Sequence, residues 1–210
     1  MMKDLIERRL ADPTLPMEEA FSQHLKEEEL ELPAGQFALF MNSMYAVDAY
    51  VRDYFRKAAL DALLAEKLPV TVFGEGWEKY SCGDGHSLRR EPAVPFALSF
   101  ERIAKAHVLL NVSPIFNRGM HDRVPAGMAN HAVVLTDENP YLRRTFTGGK
   151  ELLFYSLEKP DTPCEQAERA LTDVRLREKI AASAYETFER EYTWKRRAEQ
   201  ILAFAEEVEA

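Results

Sequence analysis

"NVSPIFNRGMHDRVPAGMANHAVVLTD", residues 111–137, reads as a strand end, a loop, a short helix and a second strand. The first strand is the apolar run "HVLLNV" (107–112) and the second is "AVVLT" (132–136). Two further runs share this character: "PVTVF" (69–73), which stops at Gly74, and "ELLFY" (151–155). Continuous apolar strands with helical patterns between most of them imply a parallel sheet covered on both faces, so the middle of the chain is expected to be an open-sheet α/β domain. The quoted stretch also gathers Arg118, His121, Asp122 and Arg123 where the loop meets the helix.

The flanks read as helices. Residues 1 to about 35 suit two short amphipathic helices, broken at Pro13 and Pro16 and ended near Pro33 and Gly35, with Glu27, Glu28 and Glu29 on a solvated face. Phe40, Met44, Val47, Val51, Tyr54, Ala58, Leu63 and Leu64 recur at three- and four-residue steps and predict one long helix, whose aromatics Tyr45, Tyr50, Tyr54 and Phe55 are read as packing. Ser99 is placed to cap a helix in "AVPFALSFERIAKA". Beyond Pro160 the chain is helical again, with Leu171, Leu176, Ile180, Ala184, Phe188, Tyr192, Ile201, Phe204 and Val208 marking buried faces.

A chain of 210 residues with 46% hydrophobic content can bury a substantial core. Its net charge of -8 argues against general binding to nucleic acid or anionic membrane, which need a cationic surface. From His86 to Arg123, however, Arg89, Arg90, Arg102, Lys105, Arg118 and Arg123 face only Glu91, Glu101 and Asp122. His86, His107, His121 and His131 fall in or beside the same region, and a small anionic ligand suits this patch better than a polymer. Cys82 and Cys164 form neither a C-x-x-C pair nor a disulfide framework and read as ordinary thiols. No signal-peptide run or bilayer-spanning stretch is present in the sequence, so a cytoplasmic location is expected.

Ligands of open α/β sheets sit beyond the carboxyl ends of the strands, where helix N-termini direct unpaired N–H groups outward. Two loops fit that position. "FGEGW" (73–77) follows the first strand, although its glycines equally suit a turn that needs them for backbone reasons. In the second, Asp122 can cap the helix, leaving Arg123 in its first turn, where a cation is unfavourable against the helix dipole and invites an anion. A diphosphate fits, held by backbone amides, Arg123 and Arg118; the alternative is that both arginines pair with Asp122 or Glu138 on the surface.

"FGEGW", "FERIAKAHVLLNVSPIFNRGMHDRVPAGMANHAVVLTDENPYLRRTF", "ELLFYSL" and "REYTWKRRAEQIL" together resemble the C-terminal half of group 1 glycosyltransferases of the spore-maturation (CgeB-like) kind, over roughly residues 69–204. The resemblance implies a Rossmann-like sheet forming one half of a GT-B fold, with a helical segment at 1–66, a nucleotide-sugar-binding domain at 67–160 and C-terminal helices at 161–210 packing on it. It implies donor-binding roles for Gly74, Gly76, Trp77, Ser113, Asn117, Arg118, Gly119, His121, Arg123, Thr136 and Asp137. No metal or other cofactor is implied, because the helix dipole and basic side chains neutralise the diphosphate. His121, Asp122 and Glu75 are the candidates for catalysis.

Three departures from the family pattern stand out. Ala126 occupies the place of a glutamate that accepts hydrogen bonds from the ribose, and His131 that of a frequent glycine. The first 68 residues read as helices, where a GT-B enzyme has a second Rossmann-like half. A fragment of a longer enzyme, a natural half with a partner domain or a second copy, and a donor-binding relic are all consistent with this. The corresponding functions are a glycosyltransferase donor half, a nucleotide or sugar-phosphate binding module, and an interaction protein retaining only the fold.

Overall fold

The computed structural model describes residues 1–80, 87–114, 116, 118–159 and 162–209. Cys82, His86 and the expected donor contact Asn117 lie outside the described residues. Helices α1 (Met2–Ala11) and α2 (Met17–Glu27) form where the amphipathic pattern places them, and α1 is tied to the next helical pair by the buried Arg9, which pairs with Asp48.

The expected single long helix is two, α3 (Ala34–Ser43) and α4 (Tyr45–Ala65). The break has a local cause. The Ser43 hydroxyl takes the Phe40 carbonyl at 2.7 Å, and the Met44 N–H bonds Met41 O at 3.0 Å, three residues back, so the four-residue ladder is interrupted. Met44 itself is buried at the joint. On α4 the inward stripe is Val47, Val51, Phe55, Ala59 and Leu63, whereas Tyr45, Tyr50 and Tyr54 are exposed; only Phe55 of the four aromatics packs in the core.

Among the described residues five strands follow, paired in parallel in two ladders: β1 (Val70–Phe73) with β2 (Leu88–Glu91), and β3 (Val108–Asn111), β4 (Val133–Asp137) and β5 (Leu153–Tyr155) in that order. Strand β2 was not expected, because "LRRE" has an outward-facing arginine pair and no apolar run. Helix α5 (Phe96–Ile103) begins after Pro95, not at Ser99. Ser99 lies inside it and donates to Phe96 O at 2.6 Å, so it is not a cap. Between β3 and β4 runs α6 (Arg123–Ala129), a helix of seven residues. Then come α7 (Pro140–Thr145), capped by Asn139, and the C-terminal α8 (Thr162–Thr172), α9 (Val174–Glu191) and α10 (Trp194–Glu209).

Strand β4 is buried along its whole length, and its alternation sorts its residues between two cores. Val133 and Leu135 join Leu153 and Tyr155 against α1, α2, α4 and α8; Val134 faces Val124 and Met128 of α6, with Leu142, Phe146 and Ala184. Gly127 allows α6 to lie close on the sheet, since a Cβ there would stand 2.4 Å from Val134 Cγ2 and 3.0 Å from Leu109 Cδ2. The expected burial of α9 holds at Ile180 and Ala184, but Ile201, Phe204 and Val208 of α10 are exposed, and Trp194 is 89% exposed. The apolar stripe on α10 therefore has no partner among the described residues.

Candidate functional site

The parallel register brings the carboxyl ends of β3, β4 and β5 level, with Asn111 beside Thr136 and Asp137 beside Tyr155. A buried polar network forms there, with Asn111 at its hub. Its Nδ2 donates to Thr136 Oγ1 (3.0 Å), and its Oδ1 accepts from Ser113 Oγ (3.0 Å) and, more loosely, from Arg123 Nη1 (3.5 Å). The Tyr155 hydroxyl donates to Asn111 O at 3.0 Å, and Ser113 N–H donates to Asp137 Oδ1 at 2.7 Å. Buried polar groups joined this way hold each other in fixed orientations.

Burial sets the protonation chemistry. Asp137 is 2% exposed, and that desolvation pushes its carboxyl up to about 7, against the opposing effect of the Ser113 and Asp137 backbone N–H groups. Burial and the neighbouring Asp137 charge likewise raise the Tyr155 phenol well above its ordinary range. His121 is held below the usual imidazole value by burial and by the Arg123 and Arg56 charges, which outweigh Asp122. Its Nδ1 lies 2.5 Å from Asp122 Oδ1 and 3.2 Å from Arg123 N. The Arg123 N–H donates to this nitrogen, so Nδ1 is the acceptor in that bond.

Asp122 occupies the position before α6, but its side chain makes no capping bond; its carboxylate turns to His121 instead. The charge reading at α6 therefore rests on side chains, not on a capped helix end. Arg123 is half-buried and forms no ion pair among the described residues, and its charge is disfavoured by burial and by Arg52, with Asp122 acting in the other direction. Arg118 leaves the cluster: it is exposed and pairs with Glu19 of α2. That is surface pairing of the kind the alternative reading anticipated, with a different carboxylate. Glu138, the other partner considered, pairs with Arg143. Gly119 belongs to the loop wall, where Asn139 Nδ2 donates to the carbonyls of Phe116 (2.8 Å) and Gly119 (3.1 Å).

The other expected loop is built separately. Gly74 and Gly76 adopt φ of 125° and 87°, conformations that favour glycine, and Gly74 N–H bonds Glu91 O of β2 at 3.2 Å. Trp77 Nε1 donates to Phe73 O (3.2 Å), Arg90 Nε donates to Trp77 O (3.0 Å), and Glu75 is exposed. On α4 Asp61 accepts from the Tyr80 hydroxyl beyond the first loop, and earlier on the same helix Arg52 bears electrostatically on Arg123 and Arg56 on His121.

Of the expected donor residues, Ser113, His121, Arg123, Thr136 and Asp137 thus come together, with Ser113, Thr136 and Asp137 buried beneath the surface. The sequence reading missed the network roles of Asn111 and Tyr155, although both stand at strand ends, and it missed Arg52 and Arg56 altogether. A cavity of about 310 Å³ also opens beside Asp137, lined by Pro13, Thr14, Pro114, Asn139, Arg143 and Ser156 among others.

Comparison with known proteins gives three findings. The Glycosyl transferase-like family matches residues 52–203. Among solved structures, HepE of Anabaena in complex with UDP-glucose superposes with a TM-score of 0.60 at 11% identity, over 71% of this chain and 44% of that one. The same protein with UDP, and with UDP and glucose, gives TM-scores of 0.58 at 10% and 12% identity. A comparison with curated proteins finds no match. The structural likeness shows the fold, a Rossmann-like α/β arrangement of the GT-B kind, and the chain spans less than half the length of the proteins it superposes on. No helix among the described residues is long and apolar enough to cross a membrane.

Proposed function

This chain belongs to the Glycosyl transferase-like family, and on that premise we propose that it is the donor-binding half of a GT-B glycosyltransferase of the spore-maturation (CgeB-like) kind, holding a nucleotide diphosphate sugar for glycosyl transfer. The observation that carries this reading is Arg123: a half-buried guanidinium, without an ion pair among the described residues, set on a rigid polar network at the carboxyl ends of β3 and β4. Desolvating a guanidinium is costly without a charged partner, and a diphosphate oxygen supplies one in the fork geometry that arginine favours. The residues beneath it position it. Asn111 meets Arg123 from below, and Thr136 and Ser113 fix Asn111.

In this reading the arginine side chains neutralise the diphosphate, and the residues at 67–160 form the nucleotide-sugar domain. Neutral His121, beside Asp122, is the base nearest that seat. Glu75 stands on the other loop and has no part in this dyad. The acceptor is presented by a further domain or a second copy across the cleft, and the protein works in the cytoplasm.

A ligand-detected binding screen of nucleosides, nucleoside diphosphates and nucleotide sugars tests the proposal. Nucleoside diphosphates bind, their nucleosides bind far more weakly, and Arg123→Ala weakens the diphosphate by about 1 to 3 kcal/mol, the scale of a charge-assisted hydrogen bond. Equal affinity of parent and variant overturns it.

A further inference from the structure

Helix α10 leaves the body after its first turn. Arg196 Nε donates to Arg190 O (2.7 Å) and the Arg197 guanidinium lies over the Tyr192 ring, but every residue from Ala198 to Val208 is exposed. On this free stretch the apolar residues are ordered. Trp194, Ala198, Ile201, Ala205 and Val208 follow one another at alternating steps of four and three, the spacing of a coiled-coil seam, and Leu202 and Phe204 widen it. Ile201 is 68% exposed and Phe204 67%, and a solvated apolar seam of this kind marks an interface. The charges beside it select the partner. Lys195, Arg196 and Arg197 stand at the start of α10, and Glu206 and Glu207 near its end. Arg196 is held by Glu199 at 2.6 Å and Arg197 donates to Gln200 at 2.7 Å, whereas Lys195 and Glu206 form no ion pair among the described residues. These two residues are eleven positions apart, close to three whole turns, so both lie on the same flank of the seam. A second α10 laid antiparallel, with Ile201 on the twofold axis, sets Trp194 against the partner's Val208 and brings Lys195 to the partner's Glu206. Parallel pairing sets lysine against lysine and glutamate against glutamate, which repel.

We propose that α10 is a self-association surface: two copies of this chain join through an antiparallel pair of α10 helices, with Ile201 at the centre and a Lys195–Glu206 pair toward each end. The contact is isologous, so one seam supplies both sides and the assembly closes at two copies. The donor site lies on other elements, and the pairing stands or falls without it.

The test is sedimentation velocity of the full chain from roughly 1 to 200 µM, because one helix pair is a small interface and its dissociation constant is expected on the order of 10 µM. The parent sediments as a monomer–dimer equilibrium. Ile201→Glu sets two carboxylates together on the axis and stays monomeric throughout, with a far-UV spectrum like that of the parent, since position 201 is solvated in the single chain. Lys195→Glu and Glu206→Lys each weaken the dimer about tenfold at low salt, and the double exchange restores it, a rescue that a residue serving only the fold of α10 does not give. Under oxidation Ile201→Cys forms a covalent dimer and Val208→Cys does not, with the parent as the blank for Cys82 and Cys164. A parent that is monomeric across the range leaves the seam to a different partner and overturns the proposal. So does an Ile201→Glu variant that still dimerises, a charge exchange without rescue, or cross-linking at Val208 as readily as at Ile201, the mark of a parallel pair.

Discussion

Asp137→Asn should make the protein more resistant to rising pH. The Asp137 carboxyl sits at about 7 in the fold because it is buried, against an ordinary value of 3.8 in the unfolded chain. Between those values the folded state binds a proton that the unfolded state has released, so stability falls as pH rises from about 4 through about 7. At about 1.4 kcal/mol per pH unit, the ceiling of this loss is about 4 kcal/mol. Asparagine keeps the side-chain oxygen that accepts the Ser113 N–H at 2.7 Å and carries no charge at any pH. The contribution is isolated by urea unfolding of parent and variant at steps from pH 4.5 to 8, taking the difference in stability at each pH so that other titrating groups cancel. The variant should gain on the parent steadily across that window and level off above the Asp137 value. A flat difference, or one that moves against the variant as pH rises, would refute the argument that burial governs this carboxyl.

Other outcomes follow from the packing. Gly127→Ala should cost about 1 to 3 kcal/mol by overpacking, because the new methyl meets Val134 and Leu109, and chemical denaturation would show it; an unchanged midpoint means that α6 can shift without cost. Asp48→Ala leaves Arg9 buried and unpaired and should cost about 3 to 5 kcal/mol, read by thermal unfolding, with a loss under 1 kcal/mol counting against the pair. His131 has a left-handed φ of 56° and stacks on Tyr185 with ring centroids 4.2 Å apart. Replacing it by alanine keeps the strain and loses the stacking, so His131→Gly should be about 1 kcal/mol more stable than His131→Ala; equal stabilities would show that no strain is stored there.

The strands β1, β3, β4 and β5 were legible as apolar runs, the pattern of a parallel strand covered on both faces, and β4 meets that demand fully while β1 leaves Thr71 and Phe73 exposed. Strand β2 escaped the same reading, since its arginines face outward. On α4 and α10 the periodicity identified helices, but not which apolar or aromatic residues would find a partner: Tyr45, Tyr50 and Tyr54 lie off the inward stripe, and α10 stands out from the core. Within the candidate site, Ser113, Thr136 and Asp137 were reached through the family resemblance, and they stand at strand ends, where ligands gather in open sheets. Their hub, Asn111, has no signature beyond standing at such an end. Arg52 and Arg56 were invisible for a different reason. Arginines four apart on an amphipathic helix read as a solvated edge, and nothing local reveals that their charge bears on Arg123, far along the chain.

The central claim is that the carboxyl ends of β3 and β4, with Arg123 above Asn111, hold the diphosphate of a nucleotide sugar. A crystal structure of the full chain grown with a nucleoside diphosphate that binds in solution tests it most directly. The account predicts the diphosphate within hydrogen-bonding distance of the Arg123 guanidinium, with the loop from Ser113 to Arg123 against it. Clear density for the nucleotide elsewhere, in the cavity between Thr14 and Ser156 or on the turn after β1, with Arg123 untouched, would contradict it.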